Sequence, residues 1–170
     1  MCSTVAGVFG GFASLLLFSA SPADALICAS SSEQSALDAR VLQTEFMVAA
    51  LTCDQQDHYN AFVVKFNDEL TTRGQTLRHL FERSYGSAAT PRLDRFITRL
   101  ANEASYRSLL QGTTYCTTAA LLFDHAMQYE PRELESLTSN LGSNGQHGIG
   151  TCAAAADIAP LKFNLRTKSR

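Results

Sequence analysis

The chain has 170 residues, 14 Lys and Arg against 16 Asp and Glu, and 45% hydrophobic side chains. With no large field of either sign, bulk charge gives no basis for binding nucleic acid or an anionic membrane. The length suits a single domain with its own core.

Residues 1–25, MCSTVAGVFGGFASLLLFSASPADA, combine an apolar run over 5–18 with Ala23-Asp24-Ala25. This is the hydrophobic region and small-residue cleavage site of a secretory signal peptide, although no Lys or Arg precedes Arg40 to supply a basic start. The apolar run is shorter than the roughly 20 residues of a membrane span. The expectation is an exported chain, periplasmic or secreted, with no stable membrane span once the segment is removed.

Cys2 leaves with that segment, and Cys28, Cys53, Cys116 and Cys152 remain. Four cysteines in an exported chain allow three pairings, which spacing alone does not decide. Position favours Cys53 with Cys116, both inside the helical part, and Cys28 with Cys152 in the segments on either side of it. The absence of C-x-x-C disfavours a thiol-exchange enzyme and a zinc knuckle.

The serine-rich stretch 26–35 predicts an extended lead-in able to cap a helix over about 33–54. In that helix Leu37, Val41, Val48 and Leu51 form one apolar stripe and Leu42, Phe46, Ala49 and Cys53 another, so it belongs at the centre of a bundle. Residues 57–85 read as one long amphipathic helix carrying Tyr59, Phe62, Val63, Phe66, Leu70, Leu77, Leu80 and Phe81 inward. Gly74 within it marks a kink or a close helix crossing. Thr90-Pro91 predicts a cap and first turn for a third helix to about Gln111, with Glu103 and Arg107 as a surface ion pair. A fourth helix over 113–129 buries Cys116, Ala119, Ala120, Phe123, Ala126 and Met127, and a short fifth spans 131–141. The fold expected is therefore all-α, a small disulfide-stapled bundle of four to five helices over residues 26–141. The glycine-rich loop and basic tail over 142–170, with Lys162, Arg166, Lys168 and Arg170, are expected to be flexible.

At LDARVLQTEFMVAALTC, YNAFVVKF, LDRFITRLANEASYRSLL and TTYC the chain resembles small exported alphaproteobacterial proteins of unknown function. The resemblance covers about residues 37–127. It implies export and places Cys53 and Cys116 at the family's cysteines, and it carries no catalytic residue over.

The densest polar cluster is Cys53, Asp54, Asp57 and His58, in CDQQDH. It straddles a helix junction, where Asp serves as a cap, and no second His or Cys stands at ligand spacing, so no metal site is assigned. Cys116 and His125 share a helix but lie on different sides of it, and a disulfide is the better use of the thiol. Asn102, Glu103, Tyr106 and Tyr115 read as paired or capped helix residues, and His79 and His147 as surface residues. With no nucleophile elbow, phosphate loop, zinc-protease motif or haem motif, no catalytic residue and no cofactor is assigned. The residues favour a binding or structural role, with a protein or small-molecule partner. The alternative is a small periplasmic enzyme with an unrecognised active site.

Overall fold

In the computed structural model, residues 27–143 and 145–152 are described. The predicted signal segment and the basic tail lie outside them. Six α-helices follow in order: α1 (Ser31–Thr52), α2 (Gln56–Lys65), α3 (Asn67–Tyr85), α4 (Ala89–Gln111), α5 (Thr113–Ala126) and α6 (Leu134–Asn140). Two-residue strands, β1 (Cys28–Ala29) and β2 (Gly150–Thr151), pair in parallel before and after them. This is the expected all-α bundle, with its second helical stretch jointed.

α1 starts two residues before the predicted 33, because Glu33 reaches back to Ser30. The Ser30 N–H and hydroxyl donate to the Glu33 carboxylate at 2.8 and 2.9 Å, and Arg83 at the end of α3 donates to both its oxygens. Burial pushes the Glu33 carboxyl up, but these donors outweigh it and leave it below the ordinary carboxylate range. The first turn of α1 is thereby tied to the last turn of α3.

α1 is buried around most of its girth, and its two sides belong to different cores. Leu37 and Val41 join Leu77, Leu80 and Phe81 of α3 and Phe96 and Leu100 of α4. Leu42, Phe46, Ala49 and Ala50 join Phe62 and Phe66, Tyr115, Ala119 and Phe123 of α5, and Leu134 and Leu137 of α6. Phe46 stands in the middle of a run of rings, with centroids 4.4 Å from Phe123 and 4.9 Å from Phe62, and Phe62 is 5.0 Å from Phe66. Leu51, predicted inward, is 66% exposed in the last turn of α1, outside both cores.

The joint in the predicted 57–85 helix falls at Phe66, not Gly74. Phe66 relaxes to φ −99 and ψ 14, while its N–H still reaches the Phe62 carbonyl and its carbonyl accepts from Leu70. Phe62, Phe66 and, just past the joint, Leu70 lie in one core, and Leu77, Leu80 and Phe81 further along α3 lie in the other. α3 runs unbroken through Gly74, where a Cβ would stand 3.7 Å from Nη2 of Arg40 on α1, an ordinary contact that does not require glycine.

Three boundaries also differ from expectation. The 3-10 turn Gly86–Ala88 runs directly into α4, so Ala88 takes the cap position and Pro91 sits inside the first turn, where its missing N–H costs nothing. α5 ends at Ala126, and Met127 beyond it is 37% exposed. The loop expected to be flexible is docked along its described part, 142–143 and 145–150. The Asp38 carboxylate accepts the Gly145 N–H at 3.0 Å and faces His147 Nε2 at 3.4 Å. His147 is fully buried rather than a surface residue; its Nδ1 accepts the Ile149 N–H, and its carbonyl accepts from Arg99. Gly145 and Gly148 take φ of 72 and 74, which lets the chain turn sharply on either side of that buried ring.

Both preferred disulfides are present. Cys53–Cys116 joins the end of α1 to the start of α5, with Cα atoms 5.4 Å apart. Cys28–Cys152 closes the strand pair at 4.7 Å, and the Cys152 N–H donates to the Ala29 carbonyl.

Replacing Cys53 and Cys116 together by alanine is expected to lower unfolding free energy by about 4 kcal/mol. Phe62→Ala in the ring cluster is expected to cost about as much. Urea denaturation measures both. Asp38→Ala should open residues 145–150 to protease with Cys28–Cys152 intact, whereas the parent chain resists cleavage there; mass mapping of the first cut decides it.

Candidate binding site

On α1, Leu42, Glu45, Phe46 and Ala49 fall at helical steps on one face. On α5, Tyr115, Thr118, Ala119 and Leu122 repeat the same spacing. Gly112, at φ 55, ends α4 and turns the chain back into α5, which sets Arg107 and Gln111 beside both faces. These side chains, with Leu141 at the end of α6 and Ser143 and Gln146 from the docked loop, line a cavity of about 210 Å³. Its walls are apolar over Leu42, Phe46, Ala49, Ala119, Leu122 and Leu141.

The polar groups lie toward one side. Arg107 forms an ion pair with Glu45 across the gap between α4 and α1. The expected surface pair with Glu103 does not form, because Arg107 turns inward to α1 and Glu103 takes Arg99 at 2.9 Å instead. A second hollow of about 220 Å³, lined by Val41, Leu100 and Glu103, shares Glu45, Arg107 and Gln146 with the first. The ion pair therefore stands as a partition between them.

Tyr115 is 8% exposed, and its hydroxyl has no hydrogen-bond partner among the described residues. Burial raises its pKa, and the Arg107 charge offsets this only in part. The hydroxyl thus keeps its proton near neutrality and can donate. A buried hydroxyl left unpaired costs about 1–3 kcal/mol, so Tyr115 is the most costly feature of the cavity wall. The sequence reading treated it as an ordinary helix residue. The signal available was its spacing of four and seven from Ala119 and Leu122, which places its ring on the inward stripe.

The other candidate residues are dispersed. Cys53 and Cys116 are bonded to each other at the adjacent end of α1 and α5, as Cys28 and Cys152 are at the strand pair. Asp54 adopts φ 54 at the turn after α1, Asp57 lies in the first turn of α2, and the exposed His58 ring stacks on Phe123 at 5.7 Å. No group of three or more His, Cys, Asp or Glu suited to a metal gathers among the described residues. Asn102, Glu103 and Tyr106 line a broader hollow, of about 550 Å³, but all six of its residues belong to α4. A single helix face contacts a ligand from one side only, so the cavity between α1, α4 and α5 is the better candidate.

Tyr115→Phe should leave stability unchanged or raise it by about 1 kcal/mol, since it removes an unpaired polar atom and keeps the ring. Arg107→Ala should lower it by about 1–3 kcal/mol by leaving Glu45 half-buried without its cation. Chemical denaturation of the two variants beside the parent checks both. Comparison with protein-family models, curated proteins and solved structures finds no match, so the cavity is read from its own residues.

Proposed function

We propose that this chain is an exported protein, periplasmic or secreted, that acts by binding a small molecule between α1, α4 and α5. The observation that carries the reading is a cavity of about 210 Å³ that joins an apolar wall of Leu42, Phe46, Ala49, Ala119, Leu122 and Leu141 to the paired Arg107 and Glu45. A small molecule seated there gains burial against Phe46 and Leu122.

Export is supported by the signal-like segment and by two disulfides, which persist in oxidising compartments. It also accords with the resemblance to small exported alphaproteobacterial proteins. No helix among the described residues is long and apolar enough to cross a membrane. The alternative is a small periplasmic enzyme.

A thermal-shift screen of uncharged and charged small molecules should find compounds that stabilise the parent chain and not Thr118→Trp, which blocks the cavity from its exposed rim. A compound at a hundred times its Kd adds about 2.7 kcal/mol of stability. Hits that stabilise both proteins equally would place binding elsewhere. Turnover of a screened compound, lost in Tyr115→Phe or Arg107→Ala, would favour the enzyme. Expression of the C-terminally tagged chain and its recovery in the periplasmic fraction or medium, beginning at Leu26, tests export.

A further inference from the structure

We infer that a hollow beside the first half of α4, where it meets the end of α3 and the strand pair, is a second binding site whose ligand is a phosphate monoester with an apolar body. The hollow shares no lining residue with the cavity between α1, α4 and α5, so the inference does not depend on that cavity.

Its cations come from one helix face. Arg92, Arg95 and Arg99 follow one another at steps of three and four along α4, which sets all three around the hollow. Each is held by a contact of its own. The Arg92 guanidinium lies over the Tyr85 ring, 5.2 Å from its centroid, and that of Arg99 over the Phe96 ring at 5.4 Å. Arg95 Nε donates to the Pro91 carbonyl at 3.2 Å, and Arg99 also donates to the His147 carbonyl at 2.7 Å. A guanidinium has five N–H donors, so these contacts leave several for a ligand.

Charge decides the head of that ligand. Arg99 is neutralised by Glu103 at 2.9 Å, but neither Arg92 nor Arg95 has a carboxylate partner among the described residues. No Asp or Glu lines the hollow, and Asp94 falls on the far side of α4 from these arginines at about 100° per residue. Two cations are left unmatched. A phosphate monoester carries a charge of about −1.5 to −2 near neutrality and three acceptor oxygens, which arginine forks meet in bidentate pairs. A carboxylate matches only one of the two.

The rest of the lining decides the body. Ile27, Tyr85 and Ile149 are only partly buried, and Phe81 and Phe96, with centroids 5.4 Å apart, complete the apolar surface. An apolar group seated there leaves water as its phosphate meets the arginines. Inorganic phosphate gains nothing from that surface.

The test titrates phenyl phosphate, inorganic phosphate and benzoate by NMR, at low salt, into the disulfide-intact chain and into Arg92→Gln, Arg95→Gln, Arg132→Gln and Thr118→Trp. Thermal denaturation confirms that each variant folds. Arg132, in the 3-10 turn Pro131–Glu133, makes the same charge change outside the hollow, and Thr118→Trp blocks the first cavity. Phenyl phosphate should bind the parent about tenfold more tightly than either other anion and shift the amide signals of residues 92–99. Arg92→Gln and Arg95→Gln should each weaken it about tenfold, as expected for losing one charge-assisted hydrogen bond, while Arg132→Gln and Thr118→Trp leave it unchanged. Equal weakening by Arg132→Gln would mean attraction by surface charge at large, and loss in Thr118→Trp would move the ligand to the first cavity; either result overturns the site, as does a failure of all three anions to bind. Benzoate or inorganic phosphate binding as tightly as phenyl phosphate would overturn the class of ligand.

Discussion

The rest of the structure depends on a helix that is apolar on nearly every side. α1 cannot leave Leu37 and Val41 in water any more than Leu42 and Phe46, because exposing each costs about 1.5–3 kcal/mol. Covering both sides takes two separate groups of helices, α3 and α4 against one and α2, α5 and α6 against the other. That α3 meets both cores, with Leu70 in one and Leu77, Leu80 and Phe81 in the other, follows from this. So does the position of the cavity. α4 belongs to one core at Phe96 and Leu100, and α5, beyond Gly112, belongs to the other. The space left where the two cores meet along α1 is the one that Glu45 and Arg107 border.

The segments at the two ends of the described chain are held by polar contacts that a hydrophobic pattern does not encode. Neither β1 nor β2 is long enough to be stable alone, and the pair owes its place to Cys28–Cys152 and to the loop anchored on Asp38. The anchor bears on the site because Ser143 and Gln146 form part of the cavity wall. Whatever loosens the Asp38 contact also loosens that wall. The loop is therefore as much part of the site as α5.

Much of the fold was legible in the sequence, because helices that bury a face must repeat apolar residues at helical steps. The central helix, its two stripes and the four later helical stretches all carried that pattern. The disulfide partners followed from which cysteines lay inside it. The joint at Phe66 was hidden for the same reason: the repeat passes through it without a glycine or proline. Docking of the loop was hidden too. Asp38 looks like any polar residue on a helix and His147 like any residue among glycines, and nothing local says that they meet.

The candidate site was least legible, and the cause is physical. Catalytic and metal sites advertise themselves by residue types at fixed spacing, whereas a cavity is defined by where side chains stop. Tyr115 carries no motif; its meaning arises from burial beside Arg107 and from the lack of an acceptor near its hydroxyl among the described residues. A phenylalanine would fill the same space on the inward stripe without that cost. The hydroxyl is thus a local conflict between what the fold prefers and what the chain contains, at the one seam where the two cores meet. Conflicts of that kind in natural proteins tend to fall at functional sites.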